Sequence, residues 1–167
     1  MSFSIYDITI PVFRRGFTVL SAVLDKGLAH ASAEGVDPAS YVEARLAPDM
    51  LPLSGQVQRA SDTAKAAAAR LTGLAAPSFP DEETTFDELQ ARIARTVDYL
   101  ASVDPAAFEG GEERQVVLRS RAGETPFVGR DYVLQHALPN FFFHVTTAYG
   151  ILRMKGVSVG KRDYLGF

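Results

Sequence analysis

The chain has 167 residues, 47% hydrophobic and 22% charged, the balance of an ordinary globular protein and the length of one domain spanning 1–167. Its 17 Lys and Arg against 20 Asp and Glu give a formal charge of −3, without a basic block or stripe, which argues against binding a nucleic-acid backbone. No cysteine is present, which excludes disulfides, zinc knuckles and thiol nucleophiles and fits a reducing compartment.

The opening MSFSIYDITIPVFRRG places Asp7 early and its arginines after the apolar residues, the reverse of a signal peptide. No apolar run reaches the ~18 residues of a membrane span. The expectation is a cytoplasmic protein without membrane contact. From about Ser4 to Ala33, Phe13, Phe17, Leu20, Leu24, Leu28 and Ala31 recur at three- and four-residue steps, one face of a helix. Pro11 suits its first turn or a kink, and Gly35 a stop. VDPASYVEARLAPDMLP reads as a short helical turn and a connector.

The second helix is expected over Ser54–Leu71, with Val57, Ala60, Ala64, Ala67 and Leu71 inward and a strongly helix-forming AKAAAAR run. LAAPSFPDEE follows as a loop. Thr85 and Glu88 form a capping-box signature for the third helix, whose apolar face is Phe86, Leu89, Ile93, Val97 and Leu100. Glu88 and Arg92 read as an outward charge pair one turn apart. RQVVLRSRAGETPFVG then changes period and predicts a two-stranded hairpin around an Ala-Gly turn. The fourth helix is expected from about Arg130 to Lys155, with Leu134, Leu138, Phe141, Val145, Ala148 and Leu152 as its seam. Arg153 and Lys155 sit in its last turn before Gly156, as the dipole favours. The tail VSVGKRDYLGF is expected to pack back through Tyr164, Leu165 and Phe167. GVSVGK lacks the Walker spacing and a preceding strand, so it is no phosphate loop. The fold class is all-α, a four-helix bundle with a short β-hairpin inserted before the last helix.

Two of the three histidines, His136 and His144, lie in LQHALPNFFFHVTTAYGILR. Eight residues on a helix are a rise of about 12 Å. Zinc ligands sit about 2.0–2.1 Å from their ion, so the pair is not expected to share one, even with a kink at Pro139. His136, Asn140 and His144 instead form a polar line beside the seam. His144 reads either as a core-flanking imidazole or as a ligand or catalytic group. His136 reads mainly as structural, and His30 as a charge near a helix C-terminus. Asp62 and Lys65 read as a solvated ion pair. Asp49 suits either the bundle mouth or a turn cap.

LAPDMLPLSGQVQRASDTAKAAAARL, TTFDELQARIARTVDYL and LPNFFFHVTTAYGILRMKGVSVGKRDYLG closely resemble the domain-of-unknown-function family nineteen-ninety-three, a branch of the DinB/YfiT-like superfamily. The likeness runs from SIYDITIPVF to GKRDYLG. It implies a DinB-like four-helix bundle with a long crossover, commonly dimeric, with a metal pocket at one end. In DinB-like metalloproteins that pocket takes one histidine from the second helix and an HxxxH pair from the last long helix. Those positions fall at Gln56, Asn140 and His144 here, and only His144 keeps the ligand type. Amides are weak ligands for zinc or nickel. The resemblance therefore implies a degenerate metal site, with Gln56, Asn140 and His144 as ligand-binding candidates and a divalent metal as a possible cofactor. Two functions compete. One is a dimerising bundle that binds a small molecule or a partner. The other is a metal- or thiol-cofactor-dependent transferase or hydrolase-type enzyme using His144 as ligand or general base.

Overall fold

The structure is a computed structural model in which residues 3–120 and 123–166 are described. In chain order the helices are α1 (Ile10–Ala33), α2 (Ala39–Val42), α3 (Leu53–Thr72), α4 (Phe86–Ser102), α5 (Gly129–Tyr132), α6 (Leu138–Met154) and α7 (Lys161–Leu165). Strands β1 (Gln115–Ser120) and β2 (Gly123–Val128) pair antiparallel between α4 and α5, with Val116 opposite Phe127 and Leu118 opposite Thr125. The hairpin stands where the change of period put it; Ala122 of its expected turn lies outside the described residues.

Local chemistry fixes the helix ends. Pro11 lies in the first turn of α1, where a missing N–H leaves nothing unsatisfied. Thr85 and Glu88 make the reciprocal capping box of α4. α3 ends at Gly73, left-handed at φ 79°, a conformation that favours glycine.

α1 and α3 each pack against both α4 and α6 and face one another across the diagonal. Gly16 meets Phe141 and Gly27 meets Leu152, so α6 runs parallel to α1. Ser21 bonds Gln90 and Gly27 meets Phe86, so α4 runs antiparallel to α1. α3 is antiparallel to α6, with Gln56 facing His144 and Thr63 facing Asn140. α3 and α4 therefore point the same way, and residues 73–85 must travel back along the bundle to join them. They do: Pro77 and Phe79 lie beside Lys65, Asp81 beside Arg59 and Glu83 beside Gln58. This return is the long crossover.

The inward residues expected for α1 and α3 are buried, apart from half-buried Leu28. Of the α3 alanines, Ala60, Ala64, Ala67 and Ala68 are buried inside the chain and Ala66 and Ala69 are half-buried. The last long helix departs from expectation. Val133–Ala137 forms a π-helical turn in which the Leu138 N–H reaches the Val133 carbonyl. One extra residue in a turn rotates everything before it by roughly 100°. Val133 and Ala137 are therefore buried, and Leu134, expected in the seam, is 52% exposed. Pro139 is the local cause, because its ring would clash with the Gln135 carbonyl in a regular helix.

Of the two expected ion pairs, Glu88–Arg92 does not form, and Asp62–Lys65 forms but with its lysine out of solvent. Arg92 is fully buried and bonds Glu83, Asp62, Asp81 and the Pro80 carbonyl at 2.9–3.1 Å. Glu88 instead caps Thr84 and Thr85. Lys65 is buried too, 3.1 Å from Asp62 and 3.9 Å from the centre of the Phe79 ring. In both cases the crossover covers a helix face that the repeat pattern left open to water.

The tail packs back as expected. The Tyr164 hydroxyl lies 2.8 Å from that of Thr146, Lys26 pairs with Asp163, and Arg15 donates to the Leu165 carbonyl. Phe167 lies outside the described residues.

Candidate functional site at the α3–α6 groove

Gln56 occupies the first turn of α3 and His144 the middle of α6, and both are buried. Their contact is direct: Gln56 Oε1 lies 2.8 Å from His144 Nδ1. The orientation of the amide settles the tautomer. Gln56 Nε2 donates to the Leu51 carbonyl at 3.0 Å, so Oε1 faces the imidazole. An amide oxygen only accepts, so Nδ1 carries the hydrogen and Nε2 keeps its lone pair. His144 Nε2 has no hydrogen-bond partner among the described residues. Burial first, and then the Arg59 guanidinium, push His144 below its ordinary pKa, so the ring is neutral at neutral pH.

Asn140 sits one turn before His144 but is drawn elsewhere. Its Nδ2 donates to Thr63 Oγ1 at 2.7 Å, and Thr63 in turn donates to the Arg59 carbonyl at 2.7 Å. The groove thus holds Gln56 and His144 in direct contact and Asn140 on a separate bond to α3. A metal fits this donor set poorly. The Gln56 oxygen accepts from the ring and Asn140 is turned to Thr63 through its Nδ2, which leaves one imidazole nitrogen and at best a neutral amide oxygen, a weak ligand for zinc or nickel. Among the described residues no three His, Cys, Asp or Glu are grouped to hold an ion.

Two exposed apolar side chains stand near the contact. The Phe143 ring meets His144 edge-on with centroids 5.2 Å apart, and Phe143 and Leu51 are exposed. The remaining candidates lie apart. His136 stacks on Tyr132 at 5.8 Å, beside the hairpin. His30, in the last turn of α1, meets the Tyr41 ring at 6.2 Å. Asp49 is exposed in the Ala47–Met50 turn. Sequence reasoning missed Thr63 and Arg59. A signal existed for Thr63, which lies seven residues after Gln56 and so two turns along the same face. None existed for Arg59, whose place is set by Asp62 and Asp81.

A family model described as a domain of unknown function (DUF1993) matches residues 5–165. No curated protein matches the chain. Among solved structures, the crystal structure of a DinB family member protein from Shewanella denitrificans is 43% identical to it. That likeness covers 97% of this chain and 92% of the other, with a TM-score of 0.91. With the diagonal helix order and the long crossover already established, this places the chain in the DUF1993 family, with the fold of a DinB family bundle.

Proposed function

We propose that the protein binds a small molecule in the α3–α6 groove, with His144 Nε2 accepting a hydrogen bond from it. The observation that carries this is the two-point hold on Gln56, which fixes the imidazole tautomer and leaves a lone pair without a protein partner. The exposed Phe143 beside it supplies an apolar edge, the combination that small-molecule sites use to fix orientation.

The same contacts favour binding over catalysis. A general base needs its protonated form stabilised, as a carboxylate on the far nitrogen would do. Here the far partner is a neutral amide and the nearby charge is the positive Arg59. Both make the imidazolium costly. The donor set supports a degenerate metal site for the same reason, since an amide oxygen turned toward Nδ1–H is not turned toward a shared ion.

Phenol, an O–H donor on a planar apolar body, is a suitable probe. It is expected to raise the Tm of the wild type through linkage, and His144→Ala and Gln56→Leu are expected to abolish that rise. An equal rise in His144→Ala overturns the reading. So does a stoichiometric divalent ion retained by tag-free protein in elemental analysis.

We also propose that two copies pair over this groove. Phe143 and Met154 are exposed and lie eleven residues apart, on one stripe of α6, with Leu46 packed on Gly150 between them. Light scattering is expected to give twice the chain mass, and Phe143→Glu to return it to monomer. A monomer mass for the wild type removes this part.

A further inference from the structure

A cavity of about 390 Å³ lies between the C-terminal end of α3, the hairpin and the π turn. That volume falls within the range of small-molecule sites, about 300–1,000 Å³. Arg70, Leu118, Thr125, Phe127 and His136 line it. The strand register decides which side chains matter. Val116, Leu118, Thr125 and Phe127 share one face of the ribbon, and Val116 is buried, so this face turns inward. Arg119 and Glu124 pair on the other face at 2.7 Å. Although Arg119 borders the cavity, its charge is thus compensated outside it. Among the described lining residues, Arg70 is left as the uncompensated charge.

Arg70 has no carboxylate partner among the described residues. A phenol holds it instead: Nη1 donates to Tyr132 Oη at 2.9 Å, and the guanidinium carbon stands 5.5 Å from the Tyr132 ring. That leaves the Nε–H and Nη2–H edge without a partner, the two-pronged geometry that matches a carboxylate. The rings beside it are already ordered. Tyr132 stacks on His136 at 5.8 Å with 23° between planes, and Phe127 lies 6.4 Å from His136. His136 has no hydrogen-bond partner among the described residues.

The chemistry is selective. Among the described residues no carboxylate lines the cavity, which disfavours cations. A lone guanidinium between Leu118 and Phe127 suits one negative charge on an apolar body better than a multiply charged phosphate, which takes several donors. We propose that this cavity binds a small aromatic monocarboxylate, its carboxylate on the free edge of Arg70 and its ring laid against the cavity side of Phe127 and His136. The site lies towards the opposite end of α3 from the Gln56–His144 contact and stands independently of the function proposed there.

Sodium benzoate at constant ionic strength is the probe, followed by amide chemical shifts of the intact protein. Saturable shifts are expected at Leu118, Thr125, Phe127 and His136. Binding is expected to weaken at least about tenfold in Arg70→Gln and in a titration with benzamide, since each removes one partner of a charge-assisted bond. Phe127→Leu, on the hairpin and outside the helices, is expected to weaken it several-fold, and His144→Ala to leave it unchanged. Three results overturn the proposal: wild-type affinity in both Arg70→Gln and Phe127→Leu, phosphate binding as tightly as benzoate, or shifts confined to the groove around His144.

Discussion

At the scale of single residues, the orientation of one amide decides the electronic state of the buried imidazole. Gln56→Glu would set a carboxylate where the amide oxygen now accepts from Nδ1, and an adjacent negative charge favours the imidazolium. His144 is therefore expected to titrate at higher pH in that variant, as nitrogen shifts would show. An unchanged midpoint would mean that the Gln56 contact is absent in solution. Stability should follow the same logic in the wild type. The folded pKa of His144 lies below the ordinary value, about 6.5, because of burial and then Arg59. Below that ordinary value the unfolded chain takes up protons in preference. The contribution is thus neutral above pH ~7 and becomes destabilising as pH falls towards the folded value. His136 adds in the same direction, through burial and then Arg70. Urea unfolding at descending pH should show the decline, less steeply in His144→Gln. The residue types at Gln56, Asn140 and His144 were legible in the sequence through the family resemblance. Their bonding was not, because Asn140 answers to Thr63, and a hydrogen-bond partner on another helix leaves no trace in local spacing.

At the scale of elements, periodicity served well where one register fitted and failed where two did. α1 and α3 buried the residues their repeats named, Leu28 only in part. Before α6, Val133 and Leu134 are both apolar, so either could extend the seam, and only the π turn distinguishes them. Leu134→Glu is accordingly expected to change the unfolding free energy by less than about 0.5 kcal/mol. Val133→Ala is expected to cost about 1–3 kcal/mol. Reversed values would restore a regular helix there. Close approach sets a further limit on α1 and α6. A Cβ on Gly16 would run into the Phe141 ring, so Gly16→Ala is expected to lower stability by about 1–3 kcal/mol despite its better helix propensity.

At the scale of the whole molecule, the cation Arg92 joins α3, α4 and the crossover through Asp62, Asp81 and Glu83. Burial alone would raise the Glu83 pKa, but hydrogen bonds from Gln58 and Arg92 hold it below the ordinary carboxylate value. Arg92→Met would leave enclosed Glu83 with only the half-exposed Arg95, 3.7 Å away, as counter-charge, a loss expected to cost about 3 kcal/mol in chemical denaturation. A cost below about 1 kcal/mol would place the network at the solvated surface. None of this was visible in a linear reading, since Pro80, Asp81 and Glu83 come from a segment without a repeat and Asp62 from another helix. Segments of irregular backbone are ordinarily where a protease cuts first and where foreign sequence can be spliced in. Residues 77–83 invert that habit: they are a seam stitched lengthwise to two parallel rods, and severing it is expected to loosen the pair.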